Sequence, residues 1–271
     1  MSLASKIVEI AGSRQRFLLL AAICLLTVLP TVLLGVYKGV DLAQHVQFST
    51  TFYNSMQAGD FYPSWAAAEN LGYGGVGVRF YPPLTPFLFA LARILTGSWH
   101  AATCLVFFLF TFAGAAGVYL WAREFFAAKS ESILAAAIFA VMPYHLYQIQ
   151  NGSQFAEFAG CAVIPFAFLF VTRICRRGHA ADVLGLAVAF AVLVLTHLPT
   201  TVIGSLSLFV YALFSLSKEN IPAKLLKLAA AVFLALAASA AYWLKFVTEM
   251  EWLRNTKFSE NHFFDYSPHT K

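Results

Sequence analysis

Six residues of this 271-residue chain pair chemically useful side chains with useful spacings. In YKGVDLAQHVQF, Asp41 and His45 stand four residues apart, so a carboxylate and an imidazole share a helix face with Gln44, and Phe48 continues that face. Such a pair can share a divalent cation or take the proton of a bound hydroxyl. A plainer arrangement fits equally: Asp41 caps the helix and His45 sits wet at an interface. Farther along, AGDFYPSWAAAENLGYGGVGVRFYPPL sets Arg79 and Tyr81 among two Tyr-Pro steps and several glycines. Glycines allow close ligand approach and aromatic rings offer stacking platforms of the sort sugars prefer, although the same rings would anchor a loop to a membrane interface. Glu157 in NGSQFAEFAG and His197 in LTHLPT end apolar runs, where desolvation makes ionisable groups costly and therefore functional suspects. A snorkelling carboxylate and a histidine that caps a helix junction are the alternatives. Tyr144 and His145, beside Pro143, fit a kinked helix end.

The elements that position these residues follow from composition. The chain is 60% hydrophobic and only 11% charged, with mean hydropathy +0.71, where soluble domains carry roughly 25% charged residues. Soluble enzymes, nucleic-acid modules and disordered scaffolds are thereby excluded. Four scattered cysteines without CxxC spacing predict neither a disulfide nor a thiolate metal site. A membrane crossing needs about 20 apolar residues. Seven stretches approach that length: Phe17 to Val36, Ala101 to Trp121, Ser132 to Gln148, Phe155 to Thr172, Val183 to Thr196, Thr200 to Ser217 and Leu228 to Leu244. An eighth, Leu84 to Gly97, is short, follows Pro82 and Pro83 and contains Arg93, so it reads as an interfacial helix. Charge supports that count. Lys6, Arg14, Arg16, Arg123, Lys129, Arg173, Arg176, Arg177, Lys218, Lys224 and Lys227, eleven of the 18 Lys and Arg, then fall on one side, the cytoplasmic one by the positive-inside rule.

The expected fold is therefore all-α: a polytopic transmembrane helix bundle of about seven spans plus two juxtamembrane helices in the first outer loop. Residues 1–271 form one transmembrane domain with a long outer loop over 37–100 and an outer tail over 246–271. The N-terminus is expected in the cytoplasm. Val40 to Met56 and Leu84 to Gly97 supply the loop's helices. Because the fifth span offers few apolar residues before His197, that histidine should lie below the outer surface, and Asp41, His45, Glu157 and His197 would line one outward cavity.

An Asp at the start of the first outer loop, a G-D-x-Y-P-x-W turn, a Pro-Pro-Leu helix and a basic inner loop occur here in that order. The order resembles the GT-C superfamily of polytopic glycosyltransferases, which share a seven-span module with two juxtamembrane helices. D-x-x-x-H, N-x-G-Y-G, F-Y-P-P-L, a later P-Y, an outer Glu and T-H most closely resemble the bacterial and archaeal membrane proteins labelled 6-pyruvoyl-tetrahydropterin-synthase-related. The resemblance implies a prokaryotic plasma-membrane enzyme moving a sugar from a polyprenyl-phosphate donor to an acceptor on the outer face. It makes Asp41 and Glu157 the catalytic acidic positions and ligands for a divalent cation, Mg or Mn. His45, Arg79, Tyr81 and His197 would bind substrate, with Arg79 at the donor phosphate. Membrane lipid is an expected partner and nucleic acid is not; GT-C chains usually continue beyond such a module, so a missing C-terminal region or a partner subunit is also expected. The alternative is a non-catalytic protein that binds or moves a lipid-linked saccharide, or a subunit of an envelope assembly.

Overall fold

The computed structural model describes residues 12–216 and 219–249. Among these the chain is helical between turns, with one isolated antiparallel bridge between Ala66 and Gly75. Helix α1 spans Ser13–Leu34, α2 Leu42–Gln57, α3 Gly77–Phe80, α4 Leu84–Thr96, α5 Trp99–Ala122 and α6 Lys129–Ala140. Then come α7 Pro143–Tyr147, running into a π-helical turn over Gln148–Gly152, α8 Phe155–Arg176, α9 Ala180–Thr196, α10 Leu198–Ser215, α11 Ile221–Ala238 and α12 Ala240–Thr248.

Six of these segments are long and apolar enough to cross a membrane: Arg14–Leu34, Trp99–Ala122, Lys129–Gly152, Phe155–Arg176, Leu198–Ser215 and Ile221–Ala238. A seventh, α9, is shorter at 17 residues. It nevertheless runs along most of α8, to which it is antiparallel. Its start follows the end of α8 directly, and its end returns to the start of α8, where a Cβ on Gly160 would stand 3.1 Å from Thr200 Cγ2 and 3.5 Å from His197 Cβ. α8 is the most enclosed span, because small residues let its neighbours approach. A Cβ on Gly114 of α5 would lie 3.0 Å from the Ala162 Cα, the close contact that membrane helices use in place of a hydrophobic driving force.

The first loop is ordered by a small apolar core of its own. Phe48, Phe52 and Met56 of α2 pack with Ala66, Val78 and Ala90, so α2 and α4 lie against one another as the two juxtamembrane helices. α4 has 13 residues, about 20 Å of helix, and Arg93 near its end lies 5.2 Å from the Tyr53 ring and 5.9 Å from that of Trp99. The helix is too short to count among the membrane-length helices and packs through Phe89 and Ala92 against the bundle.

Two expected spans are drawn differently. The third does not run unbroken from Ser132 to Gln148. α6 stops at Ala140 and Pro143, which lacks an N–H to continue the ladder, opens α7. The seventh begins at Ile221 rather than Leu228 and ends at Ala238 rather than Leu244. Ser239 turns its hydroxyl back to the Ala235 carbonyl at 2.8 Å, the chain bends, and α12 folds onto the first loop. There the Tyr242 hydroxyl donates to the Phe80 carbonyl at 3.2 Å and Lys245 Nζ sits 4.4 Å over the Tyr62 ring. Residues 246–249 of the expected tail thus belong to or adjoin a docked helix; 250–271 lie outside the described residues.

Charge divides between the two ends of the bundle. Among the described residues, the end holding the start of α1 and the end of α8 carries Arg14, Arg16, Arg123, Lys129, Arg173, Arg176, Arg177, Lys224 and Lys227 against Glu124, Glu131, Asp182 and Glu219. The opposite end carries Lys38, Arg79, Arg93 and Lys245 against Asp41, Asp60, Glu69, Glu157 and Glu249.

Candidate functional site

At that second end, α2, α8 and α10 all begin beside one another, and the junctions between them enclose a cavity of about 210 Å³. Asp41, Gln44, His45, Tyr81, Gln154, Ala156, Glu157 and His197 line it. A strap holds the pieces in register. The Ser153 hydroxyl donates to the Tyr37 carbonyl at 2.8 Å and accepts the Gly39 N–H at 3.1 Å, while Ser153 itself adopts a left-handed φ of 54° to make the turn into α8. Gly39 is required there, because a Cβ would fall 2.4 Å from the Asn151 carbonyl oxygen. The strap delivers Asp41, two residues on, to the start of α8.

Asp41 occupies the N-cap position of α2 but makes no capping hydrogen bond with its side chain. Among the described residues it forms no ion pair either, with Lys38 or any other cation. Its carboxylate is left to the cavity. His45 is fixed by α8: its Nε2 accepts the Phe155 N–H at 3.2 Å and its ring stacks on Phe155 at 4.9 Å. It therefore satisfies an otherwise orphaned donor of the α8 first turn, and the proton of the neutral ring sits on Nδ1. Burial, with His197 nearby, lowers its pKa to about 4. His197 is arranged in the mirror sense. Nδ1 faces the Thr200 hydroxyl at 2.7 Å and the Thr200 N–H at 3.4 Å, which places the proton of the neutral ring on Nε2. Burial pulls its pKa down against the upward pull of Glu157 and Asp41. Two neutral imidazoles thus offer one N–H each to a space that also holds two carboxylates.

Glu157 accepts a hydrogen bond from the Tyr144 hydroxyl, a partner that the sequence reading assigned to a helix kink. Tyr81 packs against Phe48 at 4.6 Å and against the His45 ring at 6.1 Å. Burial, followed by the adjacent Asp41, raises its pKa. Arg79 goes elsewhere: it does not line the cavity but forms a two-pronged ion pair with Glu249, Nη2 lying 2.6 Å from Oε1. The expectation that Arg79 meets a donor phosphate is displaced by that contact, which no local spacing could announce. Gln154 was missed. It lies directly before α8, lines the cavity, and has its side-chain oxygen buried without a partner. Three helices start beside this space, a setting that favours anions, although the Phe155 and Thr200 N–H groups are already taken by His45 and His197. Among the described residues no three His, Cys, Asp or Glu side chains group to hold a metal ion.

The same bundle holds a separate apolar trough. His197 is followed by Leu198, which with Thr201, Phe190, Val194, Leu228 and Trp243 lines a space of about 760 Å³ between α9, α10 and α11. Its few hydroxyls are turned away, Thr201 to the Leu193 carbonyl at 2.9 Å and Ser205 to the Thr201 carbonyl at 2.6 Å.

Residues 78–260, about two-thirds of the chain, match the model of the 6-pyruvoyl-tetrahydropterin synthase related domain, a family of membrane proteins. The chain belongs to this family. No curated protein and no solved structure matches it. In this synthase-related membrane protein the matched region contains Tyr81, Glu157, His197 and α12, whereas Asp41 and His45 reach the cavity from the preceding segment.

Proposed function

We propose that the protein is a membrane glycosyltransferase that moves a sugar from a polyprenyl-phosphate donor to an acceptor on the outer face of a prokaryotic plasma membrane. The observation that carries this reading is the polar cavity lined by Asp41, His45, Glu157 and His197 in a bundle that also holds an apolar trough, whose lining includes Leu198, the residue after His197. The cavity is smaller than the roughly 300–1,000 Å³ of a typical small-molecule site. It suits a headgroup, while a lipid chain would occupy the trough. The charge division between the bundle ends favours the N-terminus inside and the cavity outside.

In this mechanism Asp41, free of any ion pair, acts as general base. It takes the proton of the acceptor hydroxyl as the acceptor oxygen attacks the anomeric carbon, and the bond from that carbon to the phosphate oxygen breaks with inversion. Polyprenyl phosphate leaves. Its growing negative charge meets the Nδ1–H of His45, the Nε2–H of His197 and the N–H groups at the start of α8. Glu157, steadied by Tyr144, holds sugar hydroxyls, Gln154 accepts another, and Tyr81 closes one wall. Asp41 and Glu157 are the two carboxylates that would hold a divalent cation here, and such a cation would supply charge neutralisation. Arg79, paired with Glu249, is omitted from the site.

The test is donor turnover by protein in nanodiscs, read as release of polyprenyl phosphate from radiolabelled lipid-linked sugars. Asp41→Asn, which keeps shape and loses basicity, should lower release at least 100-fold while the protein remains folded. Equal release by both proteins would remove Asp41 from the chemistry and favour the binding alternative.

A further inference from the structure

The bundle end opposite the cavity holds a cluster with no part in that chemistry. Glu124, in the turn after α5, lies under three guanidinium groups from the last turn of α8 and the residue beyond it. Arg173 Nε donates to its Oε1 at 2.8 Å, Arg177 donates to Oε2, and Arg176 donates to its main-chain carbonyl. Its side chain is 9% exposed, against 45% for Arg176 and 48% for Arg177. Burial would raise the Glu124 pKa, but Arg173 and Arg177 outweigh burial and lower it, so the carboxylate is charged. Three cations then face one anion.

Of the other acids at this end, Glu131, Asp182 and Glu219, none forms an ion pair with these arginines among the described residues. Arg123 is spent on the Phe126 and Ala127 carbonyls at 2.8 and 2.7 Å, and Lys227 reaches the Gly178 carbonyl at 2.7 Å. Both add further positive charge. Phe125 lies 4.6 Å from the Arg176 guanidinium and holds its plane. Phe125 and Phe126 are themselves 51% and 44% exposed, so an apolar rim adjoins the cations. Depth decides what meets them. α8 has 22 residues, about 33 Å at 1.5 Å per residue, and its first turn borders the cavity; its last turn therefore lies at the opposite membrane surface, among lipid headgroups.

We propose that Arg176 and Arg177, held apart and aimed by Glu124 and Phe125, bind the phosphodiester of an anionic phospholipid, with Phe125 and Phe126 against its acyl chains. Charge complementarity selects this occupant over zwitterionic lipid, and the aromatic rim selects a lipid over a free anion. The site is independent of the proposed transferase reaction.

The test compares lipid retention by native mass spectrometry after reconstitution in phosphatidylcholine with or without phosphatidylglycerol. Wild-type protein should retain phosphatidylglycerol in preference to phosphatidylcholine. Arg176→Gln with Arg177→Gln should lower that preference about fivefold per arginine, from about 1 kcal/mol for each cation at an anionic surface. Glu124→Gln should move it the other way, since it removes the anion these arginines pair with and leaves the cations; a cluster serving only to join helices would lose stability there and gain no lipid. Equal retention of the two lipids by wild type, an unchanged preference in the double variant, or displacement of phosphatidylglycerol by millimolar inorganic phosphate would overturn the assignment. The Glu124→Gln arm reads the proposal even if the double variant fails to fold.

Discussion

Acid should loosen the joint between α2 and α8, and His45 sets the amount. Its imidazole accepts the Phe155 N–H through Nε2 at 3.2 Å and stacks on the Phe155 ring, so protonation would break the bond and charge a buried ring. Burial first, and His197 second, hold its pKa at about 4 in the folded protein, below the 6.5 of a solvated histidine. Because the folded value is the lower one, the stabilisation is complete above the solvated value, declines as pH falls from 6.5 and is gone below about 4. At about 1.36 kcal/mol per pH unit the whole loss is about 3 kcal/mol, of which about 2.5 kcal/mol has gone by about pH 4.5. His45→Gln keeps an acceptor at similar reach and does not titrate. Unfolding midpoints in detergent, followed by tryptophan fluorescence at about pH 7.5 and about pH 4.5, should therefore show wild type losing about 2.5 kcal/mol more than the variant. His197, lowered in the same direction, contributes a slope common to both. Identical acid sensitivity in the two proteins would refute the Phe155–His45 bond as the seat of the effect.

Two further outcomes are expected. Gly39→Ala places a methyl group 2.4 Å from the Asn151 carbonyl oxygen and should cost roughly 1–3 kcal/mol in the same unfolding measurement; wild-type stability would mean that the strap is not seated on the turn before α8. In a cysteine-free background, a cysteine at Leu71, which is 99% exposed, should react with an impermeant maleimide added outside intact cells, and one at Glu131 should not. The reverse pattern would invert the orientation and move the cavity to the cytoplasm.

Much of the scaffold was legible because hydropathy and charge act locally. Apolar runs separated by Arg and Lys located the long apolar helices, and the brevity of Leu84 to Gly97 set that helix apart from them. The gathering of Asp41, His45, Glu157 and His197 was also foreseeable, since Asp41 and His45 share a helix face after the first apolar run while Glu157 and His197 stand at ends of later ones. Partners chosen across long stretches of chain were not legible. Arg79 looked free in sequence, yet its carboxylate, Glu249, lies 170 residues away. Tyr144 read as part of a kink because only the stop at Ala140 and the π-helical turn after Tyr147 carry it to Glu157. The bend at Ser239 sits within an unbroken apolar run, and hydropathy does not register a change of direction. Gln154 gave a weak sign, a polar residue placed directly before a long apolar helix.

The bend at Ser239 also imposes an order on biosynthesis. Phe80, whose carbonyl accepts the Tyr242 hydroxyl from 162 residues away, is made well before that partner and leads directly into Tyr81, a wall of the cavity. Closing so long a loop costs little more than closing a short one, but it cannot happen before the closing residue exists. Until α12 emerges, the α3 segment must wait with Arg79 unpaired and the Phe80 carbonyl in water. The cavity is thus finished last although its first residue, Asp41, is made early, and a nascent chain halted before α12 would insert its helices while leaving that wall unsupported.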